Sequence, residues 1–505
     1  MLINADKNRF VARNTLFLYL RMGVVLILSL YSTRVLLQVL GVEDYGIYNI
    51  VAGFVSLFGF LNASLSSSIQ RFYNYEGGQK GDLGWNKVYV TSIYIEMLYA
   101  LLILVLLETV GLWYISNKLV IPVNRLNTAK FLFHCSCIQM CLVMLQAPFS
   151  AMIMAKEQMS YYAIVGVAEV ALKFMLILFL PYMQVDRLIM FGVICTLVSI
   201  CVFLMYYIYA RAKFHQYKFT FIWDRKLFKD MLSFSGWNIF GSVAMIARTQ
   251  GVNILLNVFF SPLVNAARGV AFQIQSAVLG FTQNLTTAVR PQLTESYAVG
   301  DEERTKTLMY AISKISFVLL YLLALPIIFQ INTILNLWLG DSVPEYTSQF
   351  TQLILIAALV DVLNSPITIL MMASGKLKLY SVVTSLVGLL ILPMSYFFLK
   401  IYETPNVVFV VGLIVSIAVQ IASLMILQKQ TYISLRVYVY TVLSPIFKLV
   451  LFTFWIPMLV DYITIGEYWK LLITFLLTTI LILVVTYWVV FNDAERKSII
   501  KFIKR

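Results

Sequence analysis

Apolar positions run along this chain in blocks of about 20 to 28 residues separated by short polar stretches, and each block is long enough to cross a hydrocarbon core of roughly 30 Å as a helix. They fall near 14–39, 46–72, 88–115, 128–154, 159–182, 187–210, 230–258, 263–290, 306–330, 346–372, 379–400, 406–428, 438–460 and 468–491, hereafter spans one to fourteen. Backbone polar groups in lipid must be satisfied within the segment, so the pattern predicts helices. The expected fold class is an all-α membrane protein of about fourteen transmembrane helices.

The blocks echo one another. Val35 to Val39 (VLLQV) recurs 219 positions later as Ile254 to Val258 (ILLNV). In the same register Val51-Ala52 recurs as Val270-Ala271, Ser67-Ser68 as Thr286-Thr287, Arg71 as Arg290 and Glu76 as Glu295. The offset covers six spans, an even number, so both copies enter the membrane in the same direction, as in parallel-repeat transporters. Two six-helix lobes are expected, 1–210 and 230–428, joined by a basic cytoplasmic connector at 211–229. Residues 429–505 follow as spans thirteen and fourteen with a basic tail. Substrate sites of duplicated transporters lie at the seam of the repeats, which directs attention to spans one, two, seven and eight.

Composition supports the class and fixes an orientation. The chain has 505 residues, 61% hydrophobic and 12% charged, far from the usage of soluble domains. With the N-terminus inside, cytoplasmic segments hold about 25 Lys and Arg against about 6 in external loops, which predicts both termini in the cytoplasm. The net charge of +14 is mostly this topological bias, helped by attraction of Arg211, Lys213, Lys218, Arg225, Lys226, Lys501, Lys504 and Arg505 to anionic headgroups. It gives no indication of nucleic-acid binding. Trp113, Trp338, Trp455, Trp469 and Trp488 stand at predicted helix ends, where amphipathic rings suit the headgroup layer. The first apolar block is too long for a cleavable signal. Cys135, Cys137, Cys141, Cys195 and Cys201 lie inside spans four and six, where a CxC spacing points two thiols apart, so they read as packing residues and no metal is expected. No cofactor is expected either.

Candidate chemistry lies in charges and amides within the spans. Arg21, Arg34, Lys173, Arg248, Arg268, Lys314 and Lys448 are embedded, against the acids Glu96, Glu108, Glu169 and Asp361. An ion at the bilayer centre costs about 2.5 to 3.5 kcal/mol, so each needs a partner or a wet cavity. Glu169 and Lys173, at i and i+4, read as a pair. Arg248 lies too deep to snorkel comfortably. It shares span seven with Asn238, Ser242, Thr249, Gln250, Asn253 and Asn257, and span eight aligns Gly269, Gln273, Ser276, Gly280, Gln283 and Thr287 on one face. Such a face either lines a cavity or packs helices closely through small and polar groups. For Arg21, Arg34 and Arg268, nearer the helix ends, snorkelling and cavity lining both stand. Arg71 and Arg290 read as headgroup anchors or parts of an inner gate. Asp361, beside Asn364 and Pro366, is either a hydrogen-bonded structural carboxyl or an ion-coupling one.

The turn LGVEDYGIYNIV, Leu40 to Val51, resembles the opening hairpin of bacterial polysaccharide flippases of the multidrug, oligosaccharidyl-lipid and polysaccharide exporter (MOP) superfamily. Gly41 and Gly46 suit a tight external turn. The resemblance extends to the AxxQ turn at Ala155 to Gln158, to SFSGWNIFGS at Ser233 to Ser242 and to the 6 + 6 + 2 layout. It implies a V-shaped bundle like that of the MATE exporters, in the bacterial inner membrane. Its implied task is to carry an undecaprenyl-diphosphate-linked oligosaccharide to the outer leaflet by alternating access, for O-antigen or capsule synthesis. The implied partners are the lipid-linked glycan, membrane lipids, and a polysaccharide polymerase with its chain-length machinery, around a monomer. Arginine suits a diphosphate because its planar fork meets phosphate oxygens bidentately.

Three other readings compete. A multidrug or organic-cation antiporter of the same superfamily would call for a buried carboxylate in the first lobe, and span one there has Arg21 and Arg34 and no acid. A lipid II or teichoic-acid precursor flippase shares the polyisoprenyl-diphosphate handle. A membrane glycosyltransferase would need catalytic acids in a substantial external loop, and Glu43, Asp44, Asp341 and Glu345 sit in short ones, so an enzyme is not expected. A GxxxxGK[ST] phosphate loop, which a nucleotide-driven pump requires, does not occur.

Overall fold

The computed structural model describes the backbone of residues 2–156, 158–217, 224–374, 376–462, 466–493, 495 and 496. Side chains are described for the same residues apart from 2–22, 60, 61, 63, 64, 67, 74, 75, 77–80, 159, 234–246, 284, 287, 288, 291, 295, 298 and 377. Every regular element among the described residues is helical. Eleven helices are long and apolar enough to cross a membrane by length and composition, as a multi-pass membrane protein requires. The segments expected as spans two, seven and eight are helical as well. They are the spans richest in Asn, Gln, Ser, Thr and Arg, which lowers their hydropathy.

Two compact units divide the chain, Met1–Ala266 and Ala267–Arg505. In the first, α1 (Leu2–Ser56) and α2 (Gly59–Leu106) carry spans one, two and most of three. Glycines at positive φ break both, Gly41 at 79° and Gly81 at 58°, because a residue with a Cβ is strained there. A π-helical turn, Leu107–Gly111, leads into α3 (Leu112–Asn117), which completes span three. Then come α4 (Leu126–Ala155), α5 (Met159–Phe179), α6 (Arg187–Lys213) and α7 (Arg225–Phe259). Asp186 caps α6, accepting from the Leu188 and Ile189 N–H groups, and Asp224 caps α7 through the Leu227 N–H. The core of this unit is α2 on α4 and α4 on α6, filled by Tyr73, Phe133 and Phe191. Because α7 packs on α2 and α1, span seven belongs to the first compact unit. The compact units thus begin and end elsewhere than the expected repeat lobes, which assign span seven to the second.

In α8 (Pro262–Val299), which crosses the division, span eight is continuous. The second unit continues with α9 (Glu302–Phe329), the short α10 (Ile331–Leu339), α11 (Thr347–Asp361) and α12 (Asn364–Ala373). Span ten is therefore two helices broken at Val362-Leu363. Pro366 lacks an N–H and crowds the carbonyl four residues back, so the break falls one turn before it. Span eleven is likewise α13 (Leu377–Leu389) and α14 (Ile391–Tyr402), and span twelve is α15 (Asn406–Gln430). Span thirteen is α16 (Leu435–Tyr438), a π turn at Val439–Leu443, α17 (Ser444–Thr453) and α18 (Trp455–Asp461). Span fourteen is α19 (Glu467–Val485) with a π turn at Thr486–Val490.

Spans thirteen and fourteen dock on α9. The buried Lys314 ammonium of α9 reaches Glu495 Oε2 at 2.6 Å and the Val490 carbonyl at 3.3 Å, and Tyr321 shares a 2.9 Å hydrogen bond with Thr453. Lys314 is thereby partnered across helices, as an embedded cation must be. Outward faces carry bare apolar side chains such as Leu101, Phe447 and Ile480, whose solvent is hydrocarbon.

Candidate functional site

The opening hairpin owes its residues to packing. Gly41 supplies the positive φ of the turn. Gly46, expected in the turn, lies one helical turn inside the helix, and a Cβ there would overlap the Pro262 carbonyl at the start of α8. Its role is close approach rather than turn geometry. Tyr45 is buried, and Asp44 pairs with Arg125, whose Nη1 also reaches Asp186 Oδ2 at 2.5 Å. One guanidinium thus joins the segment after the Gly41 break in α1 to the starts of α4 and α6. Burial alone would push Asp186 up, but the Ile189 N–H and Arg125 hold its carboxyl below the usual range.

Amides fasten α7 beside this cluster. A Cβ on Gly53 would come within 2.5 Å of Asn253 Nδ2 and 2.9 Å of Gln250 Oε1, so α1 and α7 touch through a missing side chain. Asn253 Nδ2 donates to the Asn49 carbonyl at 3.3 Å, and Asn265 Nδ2 donates to the carbonyl and to Oδ1 of Asn253, both at 2.8 Å. Asn257 clasps the loop before α4, accepting the Val120 N–H at 2.9 Å and donating to the Val120 carbonyl at 3.2 Å. Asn253, Asn257 and Asn265 are buried, and pairing relieves the cost of unsatisfied amides in a dry seam. Asn49 and Asn265 were not singled out in the sequence. A signal was present, since the 219-residue register sets Arg34 against Asn253 and Asn49 against Arg268, an Arg and an Asn exchanged between copies.

The remaining candidates are distributed over both units. In the first, Arg34 and Arg248 are half-buried, Arg71 is exposed, and the Arg21 side chain lies outside the described residues. Lys173, expected beside Glu169, stands 5.4 Å from the ring centre of Phe191 and 5.9 Å from that of Tyr48. In the second, Arg268 is 6% exposed, with its guanidinium 4.1 Å from the Phe272 ring centre. Gln273 is half-buried, and Ser276, Gln283 and Arg290 are exposed. The Glu295 side chain lies outside the described residues. Asp361 ends α11 at the break in span ten, half-buried. Asn364 just beyond it accepts from the Tyr380 hydroxyl at 3.0 Å, which also meets Thr368 Oγ1 at 2.7 Å. The broken span ten thus carries a carboxyl, an amide and a hydroxyl, and α13 adds the Tyr380 phenol.

At the other end of the first unit lies the AxxQ turn. Lys156 Nζ is 3.8 Å from the ring centre of Trp85, which stacks between Tyr73 and Tyr217. Gln158 Oε1 accepts from Lys213 Nζ at 3.0 Å. The connector is tied to the same surface by Tyr217 donating to Asp82 at 2.7 Å and by the Lys87–Asp224 pair at 3.1 Å. Burial pushes the Tyr217 phenol up to about 12. The Leu227 N–H, with Lys87, holds the Asp224 carboxyl below its usual range. Residues 218–223 of the connector lie outside the described residues. Three of the five free thiols, Cys135, Cys137 and Cys195, are buried, and Cys201 is exposed on α6.

No protein-family model matches the chain, and no curated protein matches it. Solved structures do. A lipid II flippase, MurJ, in an inward closed conformation superimposes with a TM-score of 0.73 over 93% of this chain and 98% of its own, at 14% identity. An inward-facing MATE family multidrug resistance transporter of the MOP superfamily gives 0.64 over 82% and 99%, at 14% identity. A MOP superfamily transporter from Pyrococcus furiosus gives 0.56 over 82% and 95%, at 13% identity. The chain therefore has the fold shared by these MOP superfamily transporters.

Proposed function

We propose that this protein is a flippase that moves a polyprenyl-diphosphate-linked oligosaccharide from the inner to the outer leaflet of the bacterial cytoplasmic membrane by alternating access, in O-antigen or capsule synthesis. The observation that carries the reading is the embedded cationic excess, with Arg34, Arg248 and Arg268 in spans of this fold. A diphosphate headgroup crossing the membrane needs such charge, whereas an organic cation would be repelled by it. In this reading 1–210 and 230–428 act as lobes about the connector 211–229, with spans thirteen and fourteen beside the second. Arg248, with Arg21, Arg34 and Arg268, meets the diphosphate, while Asn253, Gln273, Ser276 and Gln283 serve the sugars or the seam that opens toward them. Arg71 and Arg290 hold lipid headgroups or the inner gate, and Asp361 is a coupling carboxyl. The polysaccharide polymerase and chain-length machinery would take the product, and the protein acts as a monomer without cofactor or catalytic step.

A second reading has a specific observation behind it: the solved structure with TM-score 0.73 is a lipid II flippase, whose substrate shares the polyprenyl-diphosphate handle. Proteoliposomes offered fluorescent lipid-linked oligosaccharide, lipid II or an organic cation separate the readings. Arg248→Ala should abolish oligosaccharide flipping while leaving normal protein in the membrane, and Arg248→Lys should rescue only part, since it keeps the charge and loses the planar fork. Wild-type flipping by Arg248→Ala, or transport of the cation alone, would overturn the proposal.

A further inference from the structure

Glu96 is fully buried in α2, and among the described residues neither of its carboxyl oxygens has a hydrogen-bond partner. Among the described residues it makes no ion pair, and it is unlike the other embedded acids of this unit in that respect: Glu108 Oε1 has His134 Nδ1 at 2.9 Å, and Glu169 has an interaction of its own. An ionised carboxylate at this depth would give up hydration with nothing to replace it, a cost of several kcal/mol at least. Among the described residues no cation hydrogen-bonds to it. Tyr99 lies on the same helix, and α4, packed against α2, brings the Cys141 thiol to the Ala100 carbonyl one turn away. In this conformation the described surroundings of Glu96 thus supply no hydrogen bond to a charged carboxylate.

Polar atoms lead away from it in one direction. Ser92, one turn nearer the Gly81 break, is fully buried, and its hydroxyl neighbours that of Tyr73, which donates to the Pro148 carbonyl at 3.3 Å. Tyr73 stacks on Trp85 beside Lys156, at the end of the unit expected to face the cytoplasm. Glu96 thus stands at the inner end of a short row of hydroxyls that begins near that surface.

We propose that Glu96 is a proton-binding site of the first unit, keeping its proton in this conformation and releasing it to water by way of Ser92 and Tyr73 when the helices around it part. On release the O–H bond of the carboxyl breaks, the proton passes to water and the charged carboxylate is left hydrated. Only the link to a conformational cycle rests on the transporter reading, since protonation is testable without substrate.

Infrared spectra of the purified protein in nanodiscs at neutral pH should show the carbonyl stretch of a protonated carboxyl that moves on 13C-glutamate labelling. The band should vanish in Glu96→Gln and persist in Glu108→Gln. In Glu96→Asp, the control should Glu96→Gln fail to fold, the band should lose its sensitivity to the label. Absence of a labelled band from the wild type, or its survival in Glu96→Gln, overturns the proposal. The conformational half is read by cross-linking Val120→Cys to Asn257→Cys in a background without other cysteines. Its yield, normalised at each pH to the labelling of the same cysteines by a monofunctional maleimide, should change between mildly acidic and mildly alkaline pH, and Glu96→Gln should remove that change. An identical pH dependence in Glu96→Gln would leave this carboxyl with no part in the motion, whatever the substrate proves to be.

Discussion

Single residues in the opening hairpin are chosen by contact distances that a helix pattern does not contain. Gly46 is helical, so nothing local demands glycine, yet a methyl there would strike the Pro262 backbone, which cannot rotate away as a side chain would. Gly46→Ala should lower the thermal stability of the detergent-solubilised protein by about 1 to 3 kcal/mol. Gly59→Ala, facing open space in a helix, should be neutral or slightly stabilising. Equal melting temperatures for the two variants would mean that α1 and α8 do not approach as described. Asp44 and Asn253 were similarly ambiguous as letters: an acid in a turn and an amide in a span acquire roles only through Arg125, Asn49 and Asn265.

At the scale of elements, the entry of α7 shows how charge fastens a helix to its unit. Asp224 caps the first turn through the Leu227 N–H and pairs with Lys87 of α2, both favouring the ionised carboxyl. A carboxyl held below its ordinary value contributes stability above the unfolded value of about 4, and loses it as pH falls through the lower folded value. Asp224→Asn keeps a capping oxygen and removes the charge. It should cost less than about 1 kcal/mol at neutral pH, because the pair is partly exposed, and the difference from wild type should shrink below about pH 4. Thermal unfolding at several pH values checks this. A difference that grew on acidification would reverse the sign of the argument. Breaks in other helices were legible to different degrees. Pro366 announces the interruption of span ten, whereas the π turns at Leu107–Gly111, Val439–Leu443 and Thr486–Val490 contain no residue type that marks them. A π turn inserts one residue to suit the neighbouring helices, so its cause is tertiary.

For the whole molecule, the orientation in the bilayer is a property of charge placement. Alkaline phosphatase fused after Met183 or Glu403 should be active, and after Lys213 or Lys429 inactive, because the former lie in expected external loops and the latter in basic cytoplasmic ones. Activity after Lys213 would invert the topology and the direction assigned to the Glu96 hydroxyl row.

Helical class, the approximate positions of the spans and the two-copy echo follow from one-dimensional information, because hydrocarbon admits only segments that satisfy their own backbone and because duplication leaves residues in register. The embedded arginines were visible for the same reason, as costly letters in apolar blocks. What those letters do was decided in three dimensions. Glu96, Glu108 and Glu169 are alike in sequence as acids within spans, but among the described residues one is enclosed without a hydrogen-bond partner and another meets His134 across helices. The compact unit likewise closes after Ala266 because Asn253 and Asn257 bond to Asn49 and Val120, residues distant in sequence. Periodicity reports how each helix meets the bilayer, and only packing reports which helices meet one another, since lipid and protein interiors are nearly equally apolar and leave the choice to small residues and hydrogen bonds.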